Sequence, residues 1–189
     1  ERVADHLAPA DRRGSVLRRL WKVRAKEIIG ATGSLERPLV FPDNDRPGIV
    51  LASAVRSYLH DFGLAPGPTV VFTTNDDGYR TAFDLRAASV GVRIVDARHP
   101  ESPLAARARQ QGIEVLTGAV IAGTDPDESG ALAAVRVHHA GRTEAVACDL
   151  LAVSGGFDPL VDLAGQRRDQ SVRLVGSAAG QWSLGDCLR

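Results

Sequence analysis

Short apolar runs alternate with segments of helical periodicity through the middle of the chain. The apolar runs predict strands at 69–74, 92–96 and 113–116. Helical periodicity at 78–88 and 102–111 predicts the two helices between them. A strand–helix series with such short connections almost always forms a parallel sheet with right-handed crossovers. The pattern therefore predicts an α/β unit built on a Rossmann-like parallel sheet.

A different pattern follows the parallel unit. Residues 131–147 alternate between apolar and polar around a turn at Gly141, which is typical of an antiparallel hairpin or meander. The apolar run at 149–154 predicts a further buried strand. The remaining predicted elements are extended segments at 16–24 and 27–32, a proline-rich loop at 38–48, a helix at 49–62 that ends at Gly63, and an unfinished helix over 182–188.

The order of these elements is informative. A parallel unit, an antiparallel meander and a returning apolar strand are the plan of the pyridine-nucleotide domain in two-dinucleotide flavoproteins, where one Rossmann-like domain is inserted into another. We therefore predict a three-layer, glutathione-reductase-like fold. Residues 1–48 and 159–189 are assigned to an incomplete outer FAD/NAD-binding domain, and residues 49–158 to the inserted domain with its meander. Because the chain starts without methionine and stops within a predicted helix, we expect it to be a fragment.

The turn after the first strand of the parallel unit reads TTNDDGYRTA and lacks the glycines of a working dinucleotide turn. Aligning Gly78 with the second glycine of G-x-G-x-x-G leaves Asp76 and Thr81 at the first and third positions. Asp76 or Asp77 can cap the helix and supply the anion that a pyrophosphate would otherwise supply. The residues favour a scaffold with a degenerate nucleotide site. Asp96 matches the ribose-binding acid of such units, so an altered ligand mode stays open.

Composition and charge exclude several classes of function. Twenty-three basic residues balance twenty-three acidic ones, so nothing argues for nucleic acid or an anionic membrane as a partner. The two cysteines, Cys148 and Cys187, form no CxxC pair, which argues against a redox disulfide or zinc cluster and favours a reducing cytoplasm. The five histidines show no metal-ligand spacing. With no Ser-His-Asp order, paired catalytic carboxylates or P-loop, we predict no catalytic residue and no metal site.

Two small-residue motifs follow apolar strands. The ATG segment at 31–33 is recurrent in flavoproteins, where small residues let the backbone approach the cofactor. The SGG segment at 154–156 is predicted to be a turn, with close approach to a ligand as the alternative.

Three stretches together resemble a known family. The residues RLWKVRAKEIIGATGSLERPLVFPDNDRPGIVLASAVRSYLHDFG, then VVFTTNDDGYRTAFDL and VRIVDAR, closely resemble the middle of the alpha subunit of heterotetrameric sarcosine oxidase. The larger subunits of opine oxidases and hydrogen cyanide synthase share this fold less closely. The resemblance includes the unusual TTNDDGYRTA turn itself, so it is more specific than any single glycine motif.

The resemblance implies an enzyme of several cofactors. The family oxidises sarcosine to glycine with oxygen, giving hydrogen peroxide, and passes the one-carbon unit to tetrahydrofolate. Its alpha subunit holds NAD, its beta subunit holds FAD and the sarcosine site, and FMN lies between the two. The implied partners are therefore the beta, gamma and delta subunits of a cytoplasmic heterotetramer. The family's intact Gly-rich loop is expected upstream of Glu1, and its folate-binding domain beyond Arg189.

The resemblance also implies where this chain contacts a cofactor. Ala31, Thr32 and Gly33 match the family's ATG segment. A second small-residue turn matches the place where related flavoproteins have a Gly-Asp cofactor contact, with serine in place of the aspartate; its residues are Gly176, Ser177 and Ala178. From Gly156 to Gly176 is only 20 residues, a shorter link than expected for this fold.

Two classes of function follow from these observations. The favoured hypothesis is a dinucleotide-binding and scaffold segment of a sarcosine oxidase alpha subunit, inactive alone. The alternative is a non-catalytic Rossmann-like module that docks a flavoprotein partner, or a segment of an amine dehydrogenase similar to opine oxidase or cyanide synthase. An independent NAD-dependent reductase is disfavoured because the Gly-rich loop and the redox cysteines are missing.

Overall fold

A computed structural model describes residues 9–16, 18–165 and 172–188. The chain divides into two compact units, one made of 1–32 with 161–189 and the other of 33–160. The assignment of 1–48 and 159–189 to an outer domain stays a prediction. Within the described ranges, no helix is both long and apolar enough to cross a membrane.

The strands are short and cluster in the larger unit. In chain order they are β1 Ile28–Gly30, β2 Ser34–Glu36, β3 Ile49–Leu51, β4 Thr69–Thr73, β5 Val92–Asp96, β6 Glu114–Thr117, β7 Val120–Pro126, β8 Leu132–His139, β9 Arg142–Ala147, β10 Leu150–Ser154, β11 Phe157–Pro159 and β12 Val172–Leu174. The helices are α1 Ala52–Phe62, α2 Asp77–Ala87, α3 Pro103–Gln110, α4 Asp162–Gly165 and α5 Leu184–Cys187, with a 3-10 turn at Gly176–Ala179.

The larger unit is built on a parallel five-stranded sheet with the order β3-β10-β4-β5-β6. Helix α2 connects β4 to β5, and α3 connects β5 to β6. The predicted α/β unit is confirmed. Strand β10 follows the meander in the chain and lies between β3 and β4 in the sheet. The sheet therefore depends on a pairing between segments that are about 80 residues apart in sequence.

Both faces of the parallel sheet are buried, which explains why its strands read as continuous apolar runs. Val71 of β4 packs on the helix side, in a cluster that includes Leu85 of α2. Val70 and Phe72 pack on the opposite side, in a cluster that includes Val135 of β8. Strands β7, β8 and β9 form an antiparallel meander over that side. The helices, the sheet and the meander form the three predicted layers. The meander also contains strand β7, which precedes the antiparallel segment predicted at 131–147.

The helix predicted at 49–62 begins later than expected. Ile49, Val50 and Leu51 form edge strand β3, because they pair with β10 of the parallel sheet, and α1 starts at Ala52. The β-branched side chains of Ile49 and Val50 suit the pleated sheet. The predicted end is correct: Gly63 adopts φ +66° and its N–H donates to the Tyr58 carbonyl oxygen.

The extended segment predicted at 16–24 forms no sheet over its described residues 18–24. Leu20 and Trp21 are 87% and 76% exposed, and regular pairing in this region begins only at Ile28. Alternation alone cannot create a strand without a partner ladder. The helix predicted at the C-terminal end is a single turn, α5, capped by Ser183 and Asp186 in a capping box.

Candidate dinucleotide-binding site

Strands β1 and β12 of the smaller unit run parallel, with Gly30 opposite Leu174. The Val175 N–H donates to the Gly30 carbonyl oxygen at 3.0 Å and extends the ladder by one bond. The ATG segment follows β1, and the turn that begins at Gly176 follows β12. Because the two strands are parallel, both motifs leave the sheet at its carboxyl edge. Ligands of α/β proteins bind outside that edge.

A cavity of about 360 Å³ lies beside β1 and β12. This volume falls in the range of small-molecule sites, roughly 300–1,000 Å³. The Leu174 side chain packs over Gly30, since a Cβ atom there would lie 2.8 Å from the Leu174 Cδ2. The walls are mainly aliphatic, and Ala31 and Thr32 are among the lining residues, so the cavity suits an apolar group better than a charged one. The lining residues are Ile28, Ile29, Gly30, Ala31, Thr32, Leu163, Ala164, Val172 and Leu174.

The turn after β12 is a single 3-10 turn that begins at Gly176 with φ +64°. The turn also contains Ser177 and Ala178, and Ala178 is buried. The Gly176 N–H donates to the Gln181 side-chain oxygen at 3.0 Å, and the Gln181 N–H donates back to the Gly176 carbonyl oxygen at 3.0 Å. Gln181 therefore holds the shape of this turn, a role that no motif in the sequence indicated.

Gly33 lies in the larger unit, unlike the other predicted cofactor residues. It adopts φ +81°, a backbone conformation that residues other than glycine rarely adopt. Its carbonyl oxygen accepts a hydrogen bond from the Leu160 N–H at 3.0 Å. Gly33 is the last residue of the ATG segment and immediately precedes β2, which pairs with β11 in an antiparallel arrangement. This geometry gives Gly33 a conformational role at the start of the larger unit.

The degenerate turn of the larger unit has a different glycine register from the predicted one. A Cβ atom on Gly78 would lie 2.5 Å from the Thr73 Cβ, so Gly78 lets α2 pack on the end of β4. That is the function of the third glycine in the dinucleotide motif, not the second. Counting back from Gly78 places Asn75 at the second position, where a pyrophosphate would approach the backbone. The predicted alignment, with Asp76 first and Thr81 third, is wrong.

The predicted aspartate cap is also wrong. No side chain of the N-cap residue Asp76 bonds the helix, and the Asp77 N–H donates to the side-chain oxygen of Asn75 at 2.8 Å. The Asn75 side-chain nitrogen donates to the carbonyl oxygen of Ser154, at the end of β10, at 2.9 Å. A neutral amide, held at both ends, therefore takes the place expected for a carboxylate.

Asp96, at the end of β5, is completely buried. It accepts a hydrogen bond from the Tyr79 hydroxyl at 2.8 Å and from the Arg98 guanidinium at 2.8 and 2.9 Å. Burial raises the pKa of Tyr79, and the hydrogen bond to Asp96 raises it further. Hydrogen bonding to Asp96 likewise raises the pKa of Arg98. These groups stay protonated, so they donate to Asp96 at any physiological pH.

Arg98 also joins Asp96 to Asp76. Its Nη1 lies 2.9 Å from the Asp76 Oδ1, which accepts a second hydrogen bond from the Ser102 hydroxyl at 2.7 Å. Burial alone would raise the pKa of Asp76, but the bonds from Ser102 and Arg98 outweigh it and lower the pKa. Asp76 is thus a charged member of a network around Arg98.

The SGG segment forms a close crossing between two pieces of backbone. The Gly155 N–H donates to the Arg37 carbonyl oxygen at 2.9 Å, and the Arg37 N–H donates to the Gly156 carbonyl oxygen at 2.8 Å. A Cβ atom on Gly155 would lie 2.5 Å from that Arg37 oxygen. These contacts favour the predicted structural role for the glycines.

Comparison with known proteins identifies the relatives of this chain. No family model matches it. It is 45% identical over 170 residues to the sarcosine oxidase subunit alpha of Corynebacterium sp. (strain U-96), a match that covers 86% of this chain and 18% of the relative. The chain is homologous to one segment of sarcosine oxidase alpha subunits. A second relative, the sarcosine oxidase subunit alpha of Rhizobium meliloti (strain 1021), is 46% identical over 163 residues, 85% of this chain and 16% of the relative.

The chain thus spans less than a fifth of the sarcosine oxidase alpha subunits that it matches. Solved structures show its fold. A 6-hydroxypseudooxynicotine amine oxidase from Pseudomonas geniculata N1 superposes with a TM-score of 0.63 at 21% identity, over 86% of this chain and 27% of that one. The thioredoxin reductase of Lactococcus lactis gives 0.62 at 19% identity, over 81% and 57%. The predicted Rossmann-like, glutathione-reductase-like fold is confirmed.

Cys148 and Cys187 are both free, and the described residues contain no group of three or more side chains that could hold a metal ion. Burial raises the pKa of Cys148 to about 11, and the nearby charge of Asp149 adds to this effect, whereas Cys187 is exposed. A thiolate is the reactive form of cysteine. The two thiols should therefore differ strongly in reactivity.

We expect an aromatic disulfide reagent at about pH 8 to modify Cys187 rapidly and Cys148 only after unfolding. The absorbance of the released thiolate should report one fast thiol per folded chain and both in denaturant. The variant Cys187→Ser provides the control, because it should remove the fast phase completely. A fast phase that persists in this variant would contradict the burial of Cys148.

Proposed function

We propose that the chain forms a dinucleotide-binding and scaffold segment of a sarcosine oxidase that contains flavin and NAD. The observation that carries this proposal is the meeting of two motifs at one edge of a parallel sheet. Ala31 and Thr32 leave β1 beside the turn that follows β12, next to a cavity of about 360 Å³. The identity of 45% to a sarcosine oxidase alpha subunit supports the same function.

In this proposal the assembled enzyme oxidises the CH–NH bond of sarcosine with oxygen, yielding glycine and hydrogen peroxide, and transfers the one-carbon unit to tetrahydrofolate. NAD belongs to the alpha subunit, and FAD and FMN to the complex with the beta, gamma and delta subunits in the cytoplasm. This segment supplies no catalytic residue. Its contribution is to bind a dinucleotide and to position neighbouring subunits.

Each proposed contact residue has a physical role. Ala31 and Thr32 are small, so a cofactor can approach the backbone at the end of β1. Gly176 and Ala178 keep the turn after β12 compact, and the Ser177 hydroxyl offers a donor and an acceptor where related flavoproteins have aspartate. Gly33, the last residue of the ATG segment, adopts the positive φ that this position requires.

Titration of the full chain with NAD tests the proposal. At about 100 times its Kd, NAD should raise the free energy of unfolding by about 2.7 kcal/mol. Hydrogen exchange should slow in peptides that cover 28–32 and 172–181. The variant Ala31→Leu should abolish both effects because it adds bulk to a residue that lines the cavity, whereas Ala133→Leu, at an exposed position of β8, should keep them. Absence of both effects in the unmodified chain would disprove NAD binding by this segment.

A non-catalytic docking module is the second candidate function. The exposure of Leu20 at 87% and Trp21 at 76% favours it, because apolar side chains exposed side by side are typical of interaction surfaces. The same titration separates the two functions, since a pure docking module should show no response to NAD.

A further inference from the structure

We propose that the nucleotide site of the larger unit is filled by the chain's own side chains. Asn75 takes the position of the pyrophosphate, and Arg98 takes the position of the ribose hydroxyls, so this unit takes up no dinucleotide. The proposal is separate from the proposed function, which concerns the smaller unit. The sequence predicted a site that lacks the motif glycines. We infer in addition that side chains of the protein occupy the ligand positions.

The first element is the helix N-terminus. In a working site the free N–H groups at the start of the helix donate to the pyrophosphate, and the second glycine leaves room for it. Here the Asn75 oxygen accepts the Asp77 N–H at 2.8 Å. The other end of the Asn75 amide is fixed by Ser154, through its carbonyl oxygen at 2.9 Å and its hydroxyl at 3.2 Å. A pyrophosphate would have to break all three contacts to enter.

The second element is the ribose-binding acid. A carboxylate at the end of the second strand normally accepts hydrogen bonds from ribose hydroxyls. Asp96 occupies that position but is completely buried. The Arg98 side chain donates to both of its oxygens, the Arg98 backbone N–H donates to Oδ1 at 3.0 Å, and the Tyr79 hydroxyl donates to Oδ2 at 2.8 Å. Two carboxylate oxygens have about four acceptor sites, so none remains for a ribose.

The third element is charge. Arg98 could attract a phosphate, but its guanidinium contacts both Asp96 and Asp76, so its charge is already compensated. Because two carboxylates share this one guanidinium, the group keeps a net negative charge, and the half-exposed Asp76 would repel a phosphate. Each like-charge contact at such a surface weakens binding by about fivefold or more. Sterics, hydrogen bonding and charge therefore oppose a dinucleotide at the same place.

Hydrogen–deuterium exchange of the full chain tests the closure, with NAD and NADP as probes at about 1 mM. Peptides that cover 70–83 and 92–102 should exchange at the same rate with and without either probe. The double variant Asn75→Gly/Asp76→Ser removes the Asn75 side chain and the Asp76 charge. It should show slower exchange at 70–83 with at least one probe. The control Asp77→Asn removes a neighbouring charge but keeps the Asn75 side chain and the backbone N–H that it accepts from. It should behave like the unmodified chain.

Each outcome decides the proposal. Slower exchange at 70–83 in the unmodified chain would overturn it directly, whether or not the double variant folds. A double variant with an unchanged far-UV circular dichroism spectrum and no response to either probe would also overturn it, because Asn75 and Asp76 would then not be what excludes the ligand. Peptides 28–32 and 172–181 report on the smaller unit in the same experiment, so failure of the proposed function is read separately.

Discussion

Replacing Arg98 by alanine is expected to lower the free energy of unfolding by about 3–5 kcal/mol. The guanidinium is the only side-chain cation that the described residues place on the fully buried Asp96, at 2.8 Å, and removing it leaves a buried carboxylate without charge compensation. The Arg98 contact with Asp76, at 2.9 Å, is lost as well. Urea denaturation at neutral pH, followed by circular dichroism, measures the effect.

Two further variants show whether the buried charge is the cause. Arg80→Ala removes an arginine whose ion pair is with the partly exposed Asp77, at 3.1 Å, and should cost less than about 1 kcal/mol. The double variant Arg98→Ala/Asp96→Ala should be more stable than Arg98→Ala alone, because it removes the unpaired charge too. An effect of Arg98→Ala as small as that of Arg80→Ala would show that Asp96 does not depend on this cation.

Replacing Gly155 by alanine is expected to cost about 2–3 kcal/mol of unfolding free energy. The added Cβ would lie 2.5 Å from the Arg37 carbonyl oxygen. A backbone atom cannot rotate away as a side chain can, so the two chain segments must separate and weaken the hydrogen bonds that join them, at 2.8 and 2.9 Å. Thermal and urea unfolding of the variant measure the loss.

Gly91→Ala is the matched control for Gly155→Ala. No atom lies within 4 Å of a Cβ atom at Gly91, and its φ is outside the left-handed region, so the change should stay within about 0.5 kcal/mol. If both variants unfold alike, close backbone contact at Gly155 is not what requires glycine there.

Local pattern predicted the fold well where neighbouring elements also meet in space. Strands β4, β5 and β6 with helices α2 and α3 were readable because each strand packs beside the next one in the chain. Strand β3 was missed for the opposite reason. Ile49–Leu51 has an apolar run that continues into a helix, and only pairing with Leu151–Val153, about 100 residues later, makes it a strand.

The candidate sites divide in the same way. The ATG segment and the turn at 176–178 could be found from small residues and from the family resemblance. Asn75 and Arg98 could not, although a weak signal existed: asparagine is a good cap just before a helix, and Arg98 stands two residues after an acid at a strand end. Choosing between Asn75, Asp76 and Asp77 as the cap needed the positions of Ser154 and Ser102.

The amino-acid sequence by itself determined the α/β class, the meander, the relationship to sarcosine oxidase alpha subunits and the absence of the full glycine motif from the turn at 73–82. These features depend on local periodicity and residue type. The tertiary structure decided which residues fill the degenerate turn and which motifs share an edge of a sheet. The physical reason is that hydrogen-bond partners such as Asn75 with Ser154, and parallel strands such as β1 with β12, are brought together only by long-range packing.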